Sequence, residues 1–223
     1  MVSLADSSSD VYTHSMEITK AQLEHIQTKL GTGSIDLFGR PFAGKDSQGS
    51  ILVELFGGNL IGGGDILRNS VIPERVKAIM EEGKIVPSED FVAIVLPYLS
   101  QKHLADQPLI LSSAGRWHGE EQPVMDALKA AGHPLTYVIY IRLSEEDVRK
   151  RWHEKENRED RGDRYDDSEE LLETRFAEFA EKTLPVIEFY RERNMLIEVD
   201  GNQLREEVTK DILTQLLEKF SSK

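Results

Sequence analysis

Cysteine is absent from the 223 residues of this chain, which excludes disulfides, thiolate zinc sites and cysteine nucleophiles and fits a reducing compartment. Histidine is sparse: six residues, far apart in sequence, so a histidine metal cluster is not expected. Basic residues are outnumbered, 27 against 40 acidic, for a net charge of -13. No general field therefore draws nucleic acid or an anionic membrane, and an anionic ligand must be held by local basic groups. Long apolar runs are missing too. No stretch approaches the ~18 residues of a membrane span, and the opening MVSLADSSSDVYTHS has no signal-peptide run. A soluble, cytoplasmic monomer with no nucleic-acid or membrane partner is the expectation.

What is present suits one globular domain: the apolar content is 39%, enough for a sizeable core at this length. Residues 1–15 are polar and Ser-rich and read as a disordered tail, and 16–33 as a helical extension. In that extension Thr19 and Gln22 have capping-box spacing, Leu23, Ile26 and Leu30 recur at helical intervals, and GTG at 31–33 stops the pattern. Packing against the core is its expected role.

Four short apolar runs follow, at 35–38, 108–112, 136–143 and 195–199, and read as buried parallel strands. Helical patterns lie between them at 47–56, 73–83, 88–101, 120–131, 145–156, 168–193 and 204–220. This alternation predicts an α/β fold, a parallel sheet flanked by helices on both faces. The run RKRWHEKENREDRGDRYDDSEE, from Arg149 to Glu170, reads by itself as a solvated helix and loop.

The stretch GRPFAGKDSQ, from Gly39 to Gln48, carries the chemistry. Gly39, four residues, then Gly44 and Lys45 have P-loop spacing, after a strand and before a helix. Glycines let backbone N–H groups converge on phosphate, the helix presents its N-terminus, and the lysine reaches the transferred group. The next position breaks the motif: Asp46 stands there, and a hydroxyl comes only at Ser47.

These residues resemble the GxPGxGKGTQ of adenylate kinases and related nucleoside monophosphate kinases, and later motifs fall in the family's order. IGGGDILR (61–68) resembles ISTGDLLR, and IMEEGKIVPSE (79–89) resembles the GxLVPxE segment. LSSAGR (111–116) sits where the family has LDGFPR, and REDRGDRYDDSEELLETR (158–175) resembles a short lid. The resemblance implies a P-loop NTPase-type sheet of about five strands spanning 34–223, with an acceptor-binding insertion at about 60–90 and a lid at about 154–168.

It also implies transfer of the ATP γ-phosphate to a nucleoside monophosphate, AMP first, with CMP or UMP as alternatives. A nucleotide-binding pseudokinase acting through a protein partner is the other alternative. Its cofactors would be ATP and Mg2+. Crowded phosphates need fixed positive groups, and arginine suits them because its fork is bidentate and stays charged. The implied catalytic residues are Lys45, Arg116, Arg158, Arg164 and Arg175. ATP would be bound by Phe42, Ala43, Gly44, Lys45, Asp46, Ser47, Arg158 and Gln203, with Ser47 and Asp46 nearest the metal. The monophosphate would be bound by Gly63, Arg68, Lys84, Ile85, Val86, Ser113, Arg116, Gln122, Arg164 and Arg175. Asp166 and Asp167 would orient the lid arginines.

Three departures follow from the alignment of motifs. The family's strand-end acid falls on Ser112, its base-reading Thr on Gly63, and its base-reading Gln on Glu120. Weaker base discrimination is therefore expected. Two roles are open for Asp46: a helix-end residue facing solvent, or a replacement for the acid missing at Ser112.

Overall fold

A computed structural model describes residues 18–155 and 168–222. The N-terminal helix α1 (Lys20–Leu30) starts at a capping box: Gln22 N–H donates to Thr19 Oγ1 at 3.3 Å, and Thr19 N–H to Gln22 Oε1 at 2.8 Å. Its apolar stripe of Leu23, Ile26 and Leu30 is buried in one cluster with Ile212, Leu216 and Phe220 near the C-terminus. Packing is thus what this helix does.

Strand β1 (Ser34–Phe38) is buried at all five positions, as a strand covered on both faces must be. It leads through the glycine loop into α2 (Lys45–Phe56), then β2 (Asn59–Gly62), α3 (Gly63–Asn69), α4 (Glu74–Glu81) and α5 (Ser88–Ile94). The rest runs β3 (Leu109–Ser112), α6 (Glu121–Ala130), β4 (Leu135–Arg142), α7 (Glu145–Lys155), α8 (Glu169–Glu178), α9 (Leu184–Glu192), β5 (Leu196–Asp200) and α10 (Arg205–Ser221). All strand pairs are parallel, in the order β2-β3-β1-β4-β5.

This order places the site. The chain leaves β1 toward the β2 edge, returns to β3, and then crosses β1 to reach β4, so a crevice opens at the carboxyl ends of the central strands. Register brings Leu37 of β1, Gly62 of β2 and Ser112 of β3 level with one another. The residues that follow them, from Gly39, Gly63 and Ser113, therefore share one edge of the sheet.

The structure corrects three boundaries. β2 is a fifth strand beyond the four legible runs; it is a four-residue edge strand with only Ile61 buried, too short and too polar for a strand pattern. The helix expected over 88–101 ends at Ile94 and continues as a 3-10 turn over Leu96–Ser100 with Pro97 at its start, since proline has no N–H for an α ladder. The helix expected over 168–193 contains a π turn at Phe179–Thr183, just before Pro185. There too a missing N–H makes the ladder widen. None of the described helices is long and apolar enough to cross a membrane. The tail and most of the expected lid, with Arg158, Arg164, Asp166 and Asp167, lie outside the described residues.

Candidate active site

The glycine loop turns on two left-handed residues. Gly44, the N-cap of α2, has φ 93°, a conformation that only glycine adopts without strain, and Phe42 has φ 60°. A side chain at Gly39 would meet the Ile141 carbonyl at 2.8 Å, so the loop can cross β4 only as glycine. The Lys45 ammonium folds back over this loop and donates to the carbonyls of Gly39 at 2.9 Å and Arg40 at 3.1 Å. The N-terminus of α2 is presented beside it, the arrangement that receives phosphate.

Two cavities meet here. One is walled by the loop together with Gly63, Arg68, Lys84, Ile85, Val86, Ser112, Ser113, Arg116, Glu120 and Arg175. The other is walled by Phe42 to Gln48 together with Arg151, Gln203, Arg205 and Val208. Phe42, Lys45 and Asp46 belong to both.

The first cavity gathers positive charge from distant segments. Arg68 lies half-exposed on α3, paired with Asp65 at 2.6 Å. Arg116 is half-buried, its Nε lies inside with no hydrogen-bond partner, and desolvation pushes its pKa down against the opposing pull of Glu178 and Glu120. Arg175 comes from α8. The segment carrying Lys84, Ile85 and Val86 is pinned from two sides: Glu178 Oε2 accepts from Ile85 N–H at 2.8 Å, and Trp117 Nε1 donates to the Val86 carbonyl at 2.9 Å. Lys182 bonds Glu178 at 2.6 Å and stands 4.1 Å from the centre of the Trp117 ring. This wall of the first cavity is thereby locked to the core.

Gln122 is not among the residues lining either cavity. It donates to Asp126 at 2.9 Å on the exposed face of α6. Glu120 stands in the wall instead, because residues two apart in a helical turn do not share a face. Its Oε2 accepts from Trp117 N–H at 3.0 Å, its Oε1 has no partner, and burial pushes its pKa up.

On the other side, Arg151 of α7 donates to the Phe42 carbonyl at 3.1 Å and the Gly201 carbonyl at 2.5 Å, bracing the loop while lining the cavity. Sequence reasoning missed Arg151, since it sits in the charged run where any one arginine reads as solvated. Gln203 lines the same cavity and bonds Asp211 at 2.9 Å. Gln48 faces inward to structure: it donates to the Arg205 carbonyl at 2.9 Å and accepts from Thr209 at 2.8 Å, tying α2 to α10.

Asp36, in the middle of β1, was also missed. It is fully buried and accepts from the Ala114 N–H at 3.2 and 3.1 Å, holding the turn that leads to Arg116. Burial pushes its pKa well above the ordinary 3.8, while the Ala114 N–H and the Lys45 charge pull the other way. A carboxyl whose folded pKa lies above its unfolded one contributes stability that is present below the unfolded value and lost as pH rises through the folded one. Asp36→Asn should therefore raise the melting temperature at pH 7 and lose that advantage below about pH 4. Melting curves across pH check this, and a variant less stable at pH 7 would contradict it.

No group of three or more acidic or histidine side chains among the described residues could hold a metal ion unaided. Asp46 and Ser47 offer hard oxygens beside the loop. That donor set fits Mg2+, an ion that keeps waters and is shared with substrate phosphates.

Comparison with known proteins agrees with this geometry. The family model described as adenylate kinase matches residues 37–195. An adenylate kinase of Fusobacterium nucleatum is 28% identical over 200 residues, covering 79% of this chain and 94% of that protein. One from Archaeoglobus fulgidus is 30% identical over 213 residues, with 82% and 97% covered. One from Thermus thermophilus is 29% identical over 180 residues, with 78% and 92% covered.

Proposed function

The chain belongs to the adenylate kinase family, a phosphotransferase acting on nucleoside monophosphates with ATP, and from that premise we propose that it converts ATP and AMP reversibly into two molecules of ADP. The observation that carries this reading is the meeting of two cavities at Lys45, one built from the glycine loop and the other from arginines of three separate segments.

ATP takes the loop side, with its phosphates on the N-terminus of α2 and its far end toward Arg151 and Gln203. The monophosphate takes the other side, its phosphate between Arg68 and Arg116. An oxygen of that phosphate attacks the γ-phosphorus, the bond from γ-phosphorus to the bridging oxygen breaks, and ADP leaves. Lys45 leaves the Gly39 and Arg40 carbonyls for the transferred group, joined by Arg175; the family resemblance assigns Arg158 and Arg164, outside the described residues, to the same task. Asp46 and Ser47, with the donor phosphates, would hold Mg2+, which would supply charge neutralisation of the donor. A coupled assay of ADP formation from ATP with AMP, CMP or UMP tests this; no turnover with any of the three would overturn it.

Base selection is expected to be weak. Gly63 offers no side-chain bond, and the Glu120 carboxylate can only accept, whereas the adenine edge presents both a donor amine and an acceptor nitrogen. In Glu120→Gln the amide can keep the bond from Trp117 and puts a donor in the cavity wall in place of the unpartnered Oε1. One added hydrogen bond is worth about 0.5–1.5 kcal/mol, so kcat/KM for AMP relative to CMP should rise about two- to twelvefold. An unchanged AMP to CMP ratio would place base reading elsewhere.

A further inference from the structure

Asp46 stands where a carboxylate is least expected, directly after the loop lysine in the first turn of α2 and in the wall of both cavities. The positive end of the helix alone could favour an acid there, but such a side chain would be free to face water. This one is turned inward. Its Oδ1 accepts a hydrogen bond from the Ser112 hydroxyl at 3.0 Å, and Ser112 is the last residue of β3, level with Leu37 one residue before the end of β1. The bond spans 66 residues of sequence, so the carboxylate is anchored to the sheet edge as well as to its own helix. Among the described residues it is the one acidic group shared by the two cavities.

That position is unfavourable for a bare polyanion. Phosphates on the loop would face a fixed negative charge, unless a cation with its water shell lay between them. The oxygen left over after the Ser112 bond, Oδ2, can accept from metal-bound water, and a hard cation that keeps several waters suits such indirect contact. We propose that Asp46, held by Ser112, is a positioning residue for the cation of the bound nucleotide and makes the site select Mg2+-bound over metal-free nucleotide. The inference rests on the reading of the loop side as the ATP cavity.

Calorimetric titration of the full chain with the non-hydrolysable analogue AMPPNP, with saturating Mg2+ and with EDTA, reads this without turnover. The wild-type chain should bind the Mg2+ form at least about thirtyfold more tightly, the scale at which partners of metal-bound water act. Asp46→Asn, which keeps the side chain's shape, should shrink that ratio to about threefold, chiefly because metal-free nucleotide now binds better. Returning the charge from the neighbouring strand, in the double variant Asp46→Gly, Ser112→Asp, should restore the ratio to within about threefold of wild type. A wild-type ratio in Asp46→Asn, in protein whose melting curve shows it folded, overturns the proposal and leaves the ATP cavity standing. No AMPPNP binding to the wild-type chain under either condition overturns both.

Discussion

Lys45→Met is expected to lower kcat about a thousandfold or more while the chain stays folded. The two bonds that the ammonium makes to the Gly39 and Arg40 carbonyls are each worth about 0.5–1.5 kcal/mol net, and water can replace them at this half-buried site. The cost to stability is therefore small. The cost to catalysis is not, because the charge acts where negative charge crowds in the transition state, and an interaction made chiefly there appears in kcat. A single fixed donor or cation at such a point is worth about 10²–10⁵ in rate. Steady-state kinetics beside a melting curve check the split. Turnover within tenfold of wild type would remove Lys45 from the reaction and with it the phosphate role of the loop.

Lys45 was legible because everything that defines it is local: glycines at fixed spacing, a strand before and a helix after. The arginines of the first cavity were legible in another way, as separate positions whose types matched a family order, since no local pattern marks Arg68, Arg116 or Arg175 as neighbours. The structure brings these three to one cavity wall. Where neither kind of signal existed, the reading failed. Asp36 looks like an odd acid in an apolar run, and only the fold shows that it caps the turn after β3. Arg151 is hidden by its charged neighbours. Gln122 is expected from the sequence among the residues that bind the monophosphate, but the helical turn that opens α6 carries it to the outer face and leaves Glu120 in the wall. The strand β2 had too few apolar residues to register, yet its end sets the level at which Gly63 enters the site. The contact between Asp46 and Ser112 shows the limit most plainly. Sequence placed both residues near phosphate, and only the pairing of β1 with β3 brings them within 3.0 Å.

Arg116→Met is expected to separate activity from stability in the opposite sense to an ordinary core substitution. The residue is half-buried with its Nε inside and without a partner, and desolvation lowers its pKa although Glu178 and Glu120 oppose that. A cation kept in such a place is costly to fold. Glu178 does not depend on it, being bonded by Lys182 and by the Ile85 N–H, and Glu120 keeps its bond from the Trp117 N–H. Methionine is flexible, apolar and comparable in length, so it should fill the space without a void. The melting temperature should stay level or rise. Meanwhile kcat/KM for the monophosphate should fall about a thousandfold, because a desolvated, preorganised fork has no substitute at the acceptor phosphate. Arg116→Lys separates charge from geometry: it should recover only part of the loss, since an ammonium is a point charge and cannot bind two phosphate oxygens in one plane. Full recovery with lysine would mean that charge alone is used there. A methionine variant that melts several degrees lower and keeps its kcat/KM would make Arg116 a structural residue and would take the acceptor phosphate away from this cavity.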